Sequence, residues 1–242
     1  MQNAIKTEIK RLAARMFSKQ LSLEKSKEKY RNQFEKRTGL PAGLPKVKPA
    51  VGLPKHFDPI FCARNANFLA KTIWHKILLG TYEPKPAIHY QIPKPDGSKR
   101  SIMAFSIPDA ALANVMLRRS RNRNLKRLSP SSFAYHPDKN VFDAIIALRE
   151  FENDGKLFAV QIDFEKYFDN IPSKYLKEKI NDKNRISLTP HERYVFDRFI
   201  HHQFADLGDY KIQKFSRRHC GTPQGSSVSL LLANIANHDL DS

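Results

Sequence analysis

The sequence has few of the residues that build disulfide frameworks or membrane spans. Its 242 residues contain two cysteines, Cys62 and Cys220. Two are too few for a disulfide scaffold or a cysteine-based zinc site, so we expect buried thiols in a cytoplasmic protein. The longest apolar run, around Val228–Ala233, is too short to span a bilayer, and the charged N-terminus is unlike a secretory signal. The sequence therefore indicates no membrane partner.

Acidic residues are scarce relative to basic ones. The chain has 24 Asp and Glu against 42 Lys and Arg, a formal net charge of +18. Such an excess predicts a polyanionic partner, and nucleic acid is the usual one. Residues 1–37 are predicted to form a basic amphipathic helix that lies on nucleic acid, on an acidic membrane or on the rest of the protein; the overall charge favours nucleic acid. Its apolar residues are Ile5, Ile9, Leu12 and Met16.

A stretch that reads FAVQIDFEKYFDNIP, residues 158–172, combines a predicted strand with a carboxylate. Residues 157–162 are mostly apolar and β-prone, and they predict a short buried strand that leads to Asp163. Unpaired burial of a carboxylate is costly, so Asp163 either caps the following turn or meets a cation. Both interpretations stay open on this stretch alone.

A second stretch, CGTPQGSSVSLLLANIA at residues 220–236, predicts a tight loop that leads into a helix. Gly221, Pro223 and Gly225 stiffen and tighten the loop, and the serines that follow cap the helix. Gln224 stands between proline and glycine. We expect its amide to point outward and the following glycine to let a ligand approach the backbone.

With IPKPDGSKRSI at residues 92–102, these stretches resemble the bacterial reverse transcriptases of group II introns, retrons and phage defence. The three motifs occur in the family's order, and the resemblance covers residues 56–242. It implies an α+β fold: right-hand polymerase fingers and a partial palm, with an antiparallel sheet packed on helices and a basic helical N-terminal extension. The implied domains are the extension (1–37), a Pro/Gly-rich linker (38–55), fingers (56–153) and an incomplete palm without a thumb (154–242).

The resemblance implies RNA-directed DNA polymerisation, in which a nucleotide passes from a dNTP to the 3′-hydroxyl of a DNA or RNA primer on an RNA template. Asp163 would be the catalytic carboxylate and would bridge two Mg²⁺ ions, with Mn²⁺ as an alternative ion. The backbone carbonyl of Phe164 would complete one coordination shell.

The resemblance also implies a nucleotide site. Lys94 and Arg100 match the hairpin cations that hold the triphosphate. Phe168 matches the ring that excludes a 2′-hydroxyl, and we expect it and Tyr167 to face opposite sides of an extended segment. Gln224 matches the glutamine that touches the nucleotide.

A dense cluster of cations stands at the end of a helix predicted over residues 108–127. Its density predicts contact with a phosphate backbone, against the alternative of a solvated basic face. In the loop predicted at 129–137, Phe133 and Tyr135 either stack on bases or join the core. The cluster consists of Arg118, Arg119, Arg121, Arg123, Lys126 and Arg127.

One departure from the family is that no aromatic-x-Asp-Asp tetrapeptide, its source of further carboxylates, occurs in the sequence. One Asp does not build a two-metal site. Three interpretations follow: the N-terminal part of a longer polymerase, which we favour because the last residues resemble an unfinished helix; a chain whose partner supplies the carboxylates and thumb; or a non-catalytic RNA-binding relative. Template-independent DNA synthesis in phage defence is a further alternative.

Periodicity and turn residues predict the remaining elements. The predicted strands cover 87–93, 99–105 and 209–216, and the turn Pro95–Ser98 predicts a hairpin of the first two. The predicted helices cover 59–80, 138–152, 172–182 and 190–206, the last of them capped by Thr189. We expect Val141, Ile145 and Leu148 to face inward. His201 and His202 are expected to lie on the surface or to complement the helix dipole, and Asp169 and Asn170 to fix a turn rather than bind metal.

Overall fold

The computed structural model describes residues 1–42, 54–134, 136, 138–150 and 160–241. The predictions for residues 43–53 of the linker, for Tyr135 and for residues 157–159 of the strand lie outside these ranges. The chain forms two compact units: Met1–His75 with Ser106–Leu112, and Lys76–Phe105 with Ala113–Ser242.

The described residues contain helices α1 (Gln2–Thr38), α2 (Pro59–Arg64), α3 (Ala66–Leu78), α4 (Ile107–Asn124), α5 (Val141–Glu150), α6 (Tyr167–Asn170), α7 (Ser173–Asn181), α8 (Pro190–Ile200), α9 (Leu207–Lys211) and α10 (Val228–Asp241). The strands are β1 (Ala87–Pro93), β2 (Lys99–Ala104), β3 (Gln203–Ala205) and β4 (Ser216–Arg217). Across these residues, no helix is long and apolar enough to cross a bilayer.

In the first unit, the beginning of α1 packs on α2 through a short apolar face. Ile5, Ile9 and Ala13 are buried at four-residue steps, the spacing that places side chains on one side of a helix. The helix predicted over 59–80 is interrupted at Asn65, whose side-chain amide donates to the carbonyl of Phe61 at 2.9 Å. The backbone N–H of Asn65 donates to the same carbonyl at 3.0 Å, and two helices with a turn between them form where one was predicted.

The two cysteines differ. Cys62 is buried in the first unit, and burial, reinforced by the nearby charges of Asp58 and Asp109, raises the pKa of its thiol to about 12. Cys220 in the second unit is exposed, so the prediction of two buried thiols is wrong for one of them.

The second unit contains a four-stranded sheet in the order β2-β1-β3-β4. β1 and β2 form the predicted antiparallel hairpin, from Ile88 opposite Ala104 to Pro93 opposite Lys99. β3 pairs with β1 in parallel and with β4 antiparallel. The α+β class is confirmed, but the sheet is mixed because β3 is reached by a long helical crossover, which permits parallel pairing.

Helices α7, α8 and α10 supply much of the core of this unit. Leu176, Phe196, Phe199 and Leu232 are almost fully buried. A capping box begins α8, as the threonine at 189 predicts. The helix ends at Ile200 rather than at residue 206, because residues 203–205 pair with the sheet instead.

Two further predictions in this unit are wrong. The strand expected at 209–216 is largely the helix α9 and a turn, with only Ser216 and Arg217 in β4. α5 forms, but Val141, Ile145 and Leu148 are exposed rather than inward. The periodicity of α5 defines an apolar face, yet no other described residue covers those three side chains.

Candidate nucleotide site

The loop at residues 220–225 fits closely against backbone on two sides. Gly221 has φ +76°, and a Cβ there would lie 2.4 Å from the carbonyl oxygen of Phe168. Gly225 has φ +117°, and a Cβ there would lie 2.3 Å from the carbonyl oxygen of Met103. Both positions require glycine, for conformation and for space.

Backbone hydrogen bonds hold this loop against α6 and β2. The N–H of Thr222 donates to the carbonyl of Phe168 at 2.6 Å, and the N–H of Gly221 donates to the carbonyl of Ile171 at 2.7 Å. On the other side, the N–H of Met103 donates to the carbonyl of Gln224 at 2.7 Å. The structure therefore joins the three motifs that lie apart in the sequence.

The side chain of Gln224 is held at both ends. Its Oε1 accepts a hydrogen bond from Nε of Arg100 at 3.1 Å, and its Nε2 donates to Oδ2 of Asp169 at 3.0 Å. The other carboxylate oxygen of Asp169 accepts from the guanidinium of Arg218 at 2.8 Å. The amide was expected to point outward, but it is a fixed link between the hairpin and α6.

The sequence does not predict the long-range contacts of Asp169 and Arg218. Asp169 was assigned to a local turn, whereas its carboxylate binds partners 49 and 55 residues away. Arg218 also donates from Nε to the carbonyl of Cys220 at 2.7 Å. No local pattern identifies such partners, since periodicity and turn signals describe only near neighbours along the chain.

In contrast to the loop at residues 220–225, the segment that carries Asp163 is exposed to solvent. Residues 160–164 are exposed and form no strand, with Val160 85% and Ile162 65% exposed. The predicted buried strand is therefore wrong for residues 160–162. Among the described residues, neither a hydrogen bond nor an ion pair engages the carboxylate of Asp163. The carboxylate faces solvent rather than a cap or a cation.

The aromatic residues after Asp163 form a helical turn rather than an extended segment. Phe168 lines a cavity of about 200 Å³ with residues 131–134 and with α10. The hydroxyl of Tyr167 donates a hydrogen bond to the carbonyl of Ala233 at 2.9 Å. The ring of Phe164 lies 5.4 Å from that of Tyr167.

The hairpin cations differ in their surroundings. Arg100 reaches Gln224, whereas the side chain of Lys94 is exposed beside the turn. That turn is closed by Asp96, whose carboxylate accepts from both the N–H and the hydroxyl of Ser98. Lys94 therefore remains available to an anion.

The cation cluster at residues 118–127 spans the end of α4 and the turn after it, and some of its members form contacts within the protein. Arg123 donates to both carboxylate oxygens of Glu192, at 2.6 and 3.2 Å, and Arg127 donates to the carbonyl of Asn184 at 3.1 Å. Burial opposes charge on Glu192, but hydrogen bonds from Arg123 and Thr189 outweigh it and hold the pKa of its carboxyl below the ordinary value. Contact with phosphate is thus a weaker interpretation for Arg123 and Arg127 than for the exposed Arg119 and Lys126. Arg118 also has an interaction within the protein, and Arg121 is half-buried.

His202 is buried, so the prediction of a surface position is wrong for it. Its Nδ1 lies 2.9 Å from the carbonyl of Phe199, and the ring centroid lies 4.9 Å from that of Phe105. Burial lowers the pKa of His202 to about 4. The neutral ring is therefore a core residue.

The described residues do not by themselves fit a two-metal centre. No group of three His, Cys, Asp or Glu side chains in that part of the chain is arranged to hold a metal ion. The exposed carboxylate of Asp163 is a suitable hard ligand for Mg²⁺, but it is one ligand where several are needed.

The comparisons with known proteins agree with the three motifs. Residues 92–242 match the family model described as reverse transcriptase (RNA-dependent DNA polymerase). The chain is also 24% identical over 170 residues to the protein YkfC of Escherichia coli (strain K12), an alignment that covers 69% of this chain and 42% of the relative. The chain thus spans less than half the length of that relative. Because the family model covers more than half of the chain and the sheet and helices agree with a fingers–palm fold, the chain belongs to the reverse transcriptase family.

Proposed function

We propose that this chain forms the fingers and the first part of the palm of an RNA-directed DNA polymerase that adds dNTPs to a primer 3′-hydroxyl. One observation carries the proposal: Arg100 of the hairpin, Gln224 of the loop and Asp169 of α6 form one hydrogen-bonded chain. A cation and an amide are thereby placed side by side, which suits a ligand with phosphates and a sugar or base.

Each residue of the chain has a distinct part in the proposal. Arg100 and Lys94 neutralise the triphosphate from the hairpin, and Asp169 orients the Gln224 amide beside it. The ring of Phe168 is assigned to exclude a 2′-hydroxyl. Asp163 contributes one carboxylate and the carbonyl of Phe164 one oxygen to the ion site.

The remaining metal ligands have to come from a further segment or from a partner chain. If bound there, Mg²⁺, or Mn²⁺ in its place, would activate the primer hydroxyl and stabilise the leaving oxygens. Arg118, Arg119 and Arg121 of α4, together with Lys126 just after it, are assigned to the template and primer backbone.

Primer extension on an RNA template by the protein at its natural length tests the proposal. We expect Mg²⁺-dependent extension with dNTPs, and loss of extension in Asp163→Asn with unchanged folding. Extension that Asp163→Asn leaves intact contradicts the assignment of the site. Extension that persists when the RNA template is omitted would indicate template-independent synthesis instead of templated synthesis.

A non-catalytic RNA-binding role is the second candidate, and the exposed cations of α1 and α4 favour it. The same assay separates the two. RNA binding without any nucleotide incorporation, at natural length and with either metal ion, supports the binding role and excludes the polymerase.

A further inference from the structure

Most of α1 packs on nothing that the structure describes. Its buried residues stop at Ala13, and every residue from Ala14 to Ser26 is exposed. In proteins, most of the stability of a helix comes from packing one of its faces on the rest of the chain. Packing within the described residues therefore does not account for the second half of α1.

The exposed part of α1 carries a basic stripe. Its members recur at steps of three, four and seven residues, which place them on one side of the helix. All of them are exposed. We call this set the α1 stripe: Arg15, Ser18, Ser22, Lys25, Lys29 and Lys36.

The acidic residues of this half of α1 are turned away from the stripe. Glu24, Glu28 and Glu35 each stand one position before a stripe lysine, which is about 100° away around the helix. In the described residues, no ion pair joins a cation of the stripe to a carboxylate. Glu28 also stands three positions after Lys25, but the described residues show no ion pair between them. The stripe is therefore a line of cations without ion pairs, with hydroxyl groups between them.

We infer that the α1 stripe binds the phosphate backbone of a double-helical nucleic acid. The distance from Arg15 to Lys36 is about 30 Å along the helix axis, close to one turn of a duplex. Cations and hydroxyls are the groups that contact phosphates. The stripe contains no aromatic side chain, whereas single strands are bound largely by stacking on aromatic rings.

The arrangement of apolar side chains disfavours an acidic membrane. A helix that lies on a membrane gathers its apolar residues on one broad face. In the exposed part of α1, Met16 and Leu23 lie on one side while Phe17 and Leu21 lie on another. The stripe also lies outside residues 92–242, so the family match assigns it no role.

The experiment compares two variants of the whole chain that lose equal charge. The stripe variant carries Arg15→Gln, Lys25→Gln, Lys29→Gln and Lys36→Gln. The control variant carries Lys6→Gln, Lys10→Gln, Lys27→Gln and Arg31→Gln, which lie on other sides of α1. Glutamine is a good helix former, so far-UV circular dichroism is expected to show unchanged helicity in both.

Affinity for a 20-base-pair RNA duplex is measured by fluorescence anisotropy as a function of salt concentration. We expect the slope of log K against log salt to become shallower by about 3 to 4 in the stripe variant, and much less in the control. Equal changes in both variants overturn the inference, since overall charge then explains the binding. A stripe variant that loses binding only to vesicles containing phosphatidylserine, and not to the duplex, overturns it in favour of a membrane.

The inference adds a second nucleic-acid contact to the proposed function, and the two fail separately. The binding assay contains no dNTP, so a chain that binds through the stripe but never extends a primer contradicts only the polymerase proposal. A polymerase whose duplex binding is insensitive to the stripe contradicts only this inference.

Discussion

The loop at residues 220–225 and the segment at residues 160–164 carry the two halves of the candidate site. They differ in exposure and in the number of hydrogen bonds that hold them. Backbone hydrogen bonds and two tightly fitted glycines hold the loop, and both ends of the Gln224 amide are occupied. The Asp163 segment is exposed, and its carboxylate has no partner among the described residues. The proposed nucleotide side of the site is thus held by contacts within this chain, while the proposed metal side offers one exposed carboxylate.

In the loop at residues 220–225, Gly225→Ala is the substitution expected to lower the free energy of unfolding most. The added Cβ meets the carbonyl of Met103, which cannot move without displacing β2. We expect the free energy of unfolding to fall by about 3 kcal/mol, measured by urea denaturation.

Gly97→Ala is the matched control, since its φ is +79° but no atom lies within 4 Å of the added Cβ. It has the backbone strain without the collision and is expected to cost about 1 kcal/mol. Equal losses in the two variants would show that the close approach of the loop to β2 is unimportant.

The same contrast between fixed and open groups occurs among the cations of α4. Arg123→Gln leaves the buried carboxylate of Glu192 without its cation, whereas Arg119→Gln alters an exposed side chain. We expect a loss of about 2–3 kcal/mol for the first and less than about 0.5 kcal/mol for the second. Equal effects would contradict the assignment of Arg123 to a structural pair.

Glu192 also gives the protein a dependence on pH. Its folded-state pKa is lowered, so the pair stabilises the protein above the unfolded-state pKa of about 4.3 and this stabilisation is lost as pH falls through the folded-state pKa. We expect urea midpoints to decrease at acidic pH in the wild type and to decrease less in Arg123→Gln. Identical pH profiles would contradict the linkage.

Asp169→Asn and Asp163→Asn compare the two halves of the site directly, with smaller expected losses in the free energy of unfolding. Asp169→Asn weakens the ion pair with Arg218 and is expected to lower the free energy of unfolding by about 1–2 kcal/mol. Asp163→Asn is expected to change it by less than about 0.5 kcal/mol, because the carboxylate is exposed. A larger loss of unfolding free energy in Asp163→Asn would show that the carboxylate of Asp163 forms a stabilising contact within the protein.

The local parts of this structure follow from the sequence, and the long-range parts do not. The turn at Pro95–Ser98 predicts the β1–β2 hairpin, and the threonine at 189 predicts the start of α8. Gly221 and Gly225 correctly indicate a tight loop. In each case the determining residues are near neighbours in the chain, so propensity and turn geometry suffice.

The partners of Gln224 and the parallel strand β3 could not be predicted in this way. Arg100 and Gln224 are 124 residues apart, and the identity of one does not constrain the other in the sequence. Residues 203–205 carry helix-compatible periodicity from α8, yet pairing with β1 decides their conformation. Likewise, the pattern of α5 predicts an apolar face but not whether anything covers it.

Single-nucleotide incorporation on an RNA template, with the rate of incorporation and the apparent Kd for dNTP measured separately, tests the division of the site most directly. The protein at natural length is compared with Asp163→Asn and Arg100→Gln. The account predicts that Asp163→Asn abolishes the rate with little change in Kd, whereas Arg100→Gln mainly raises Kd. Wild-type rates in Asp163→Asn, or a Kd that Arg100→Gln leaves unchanged, would contradict it.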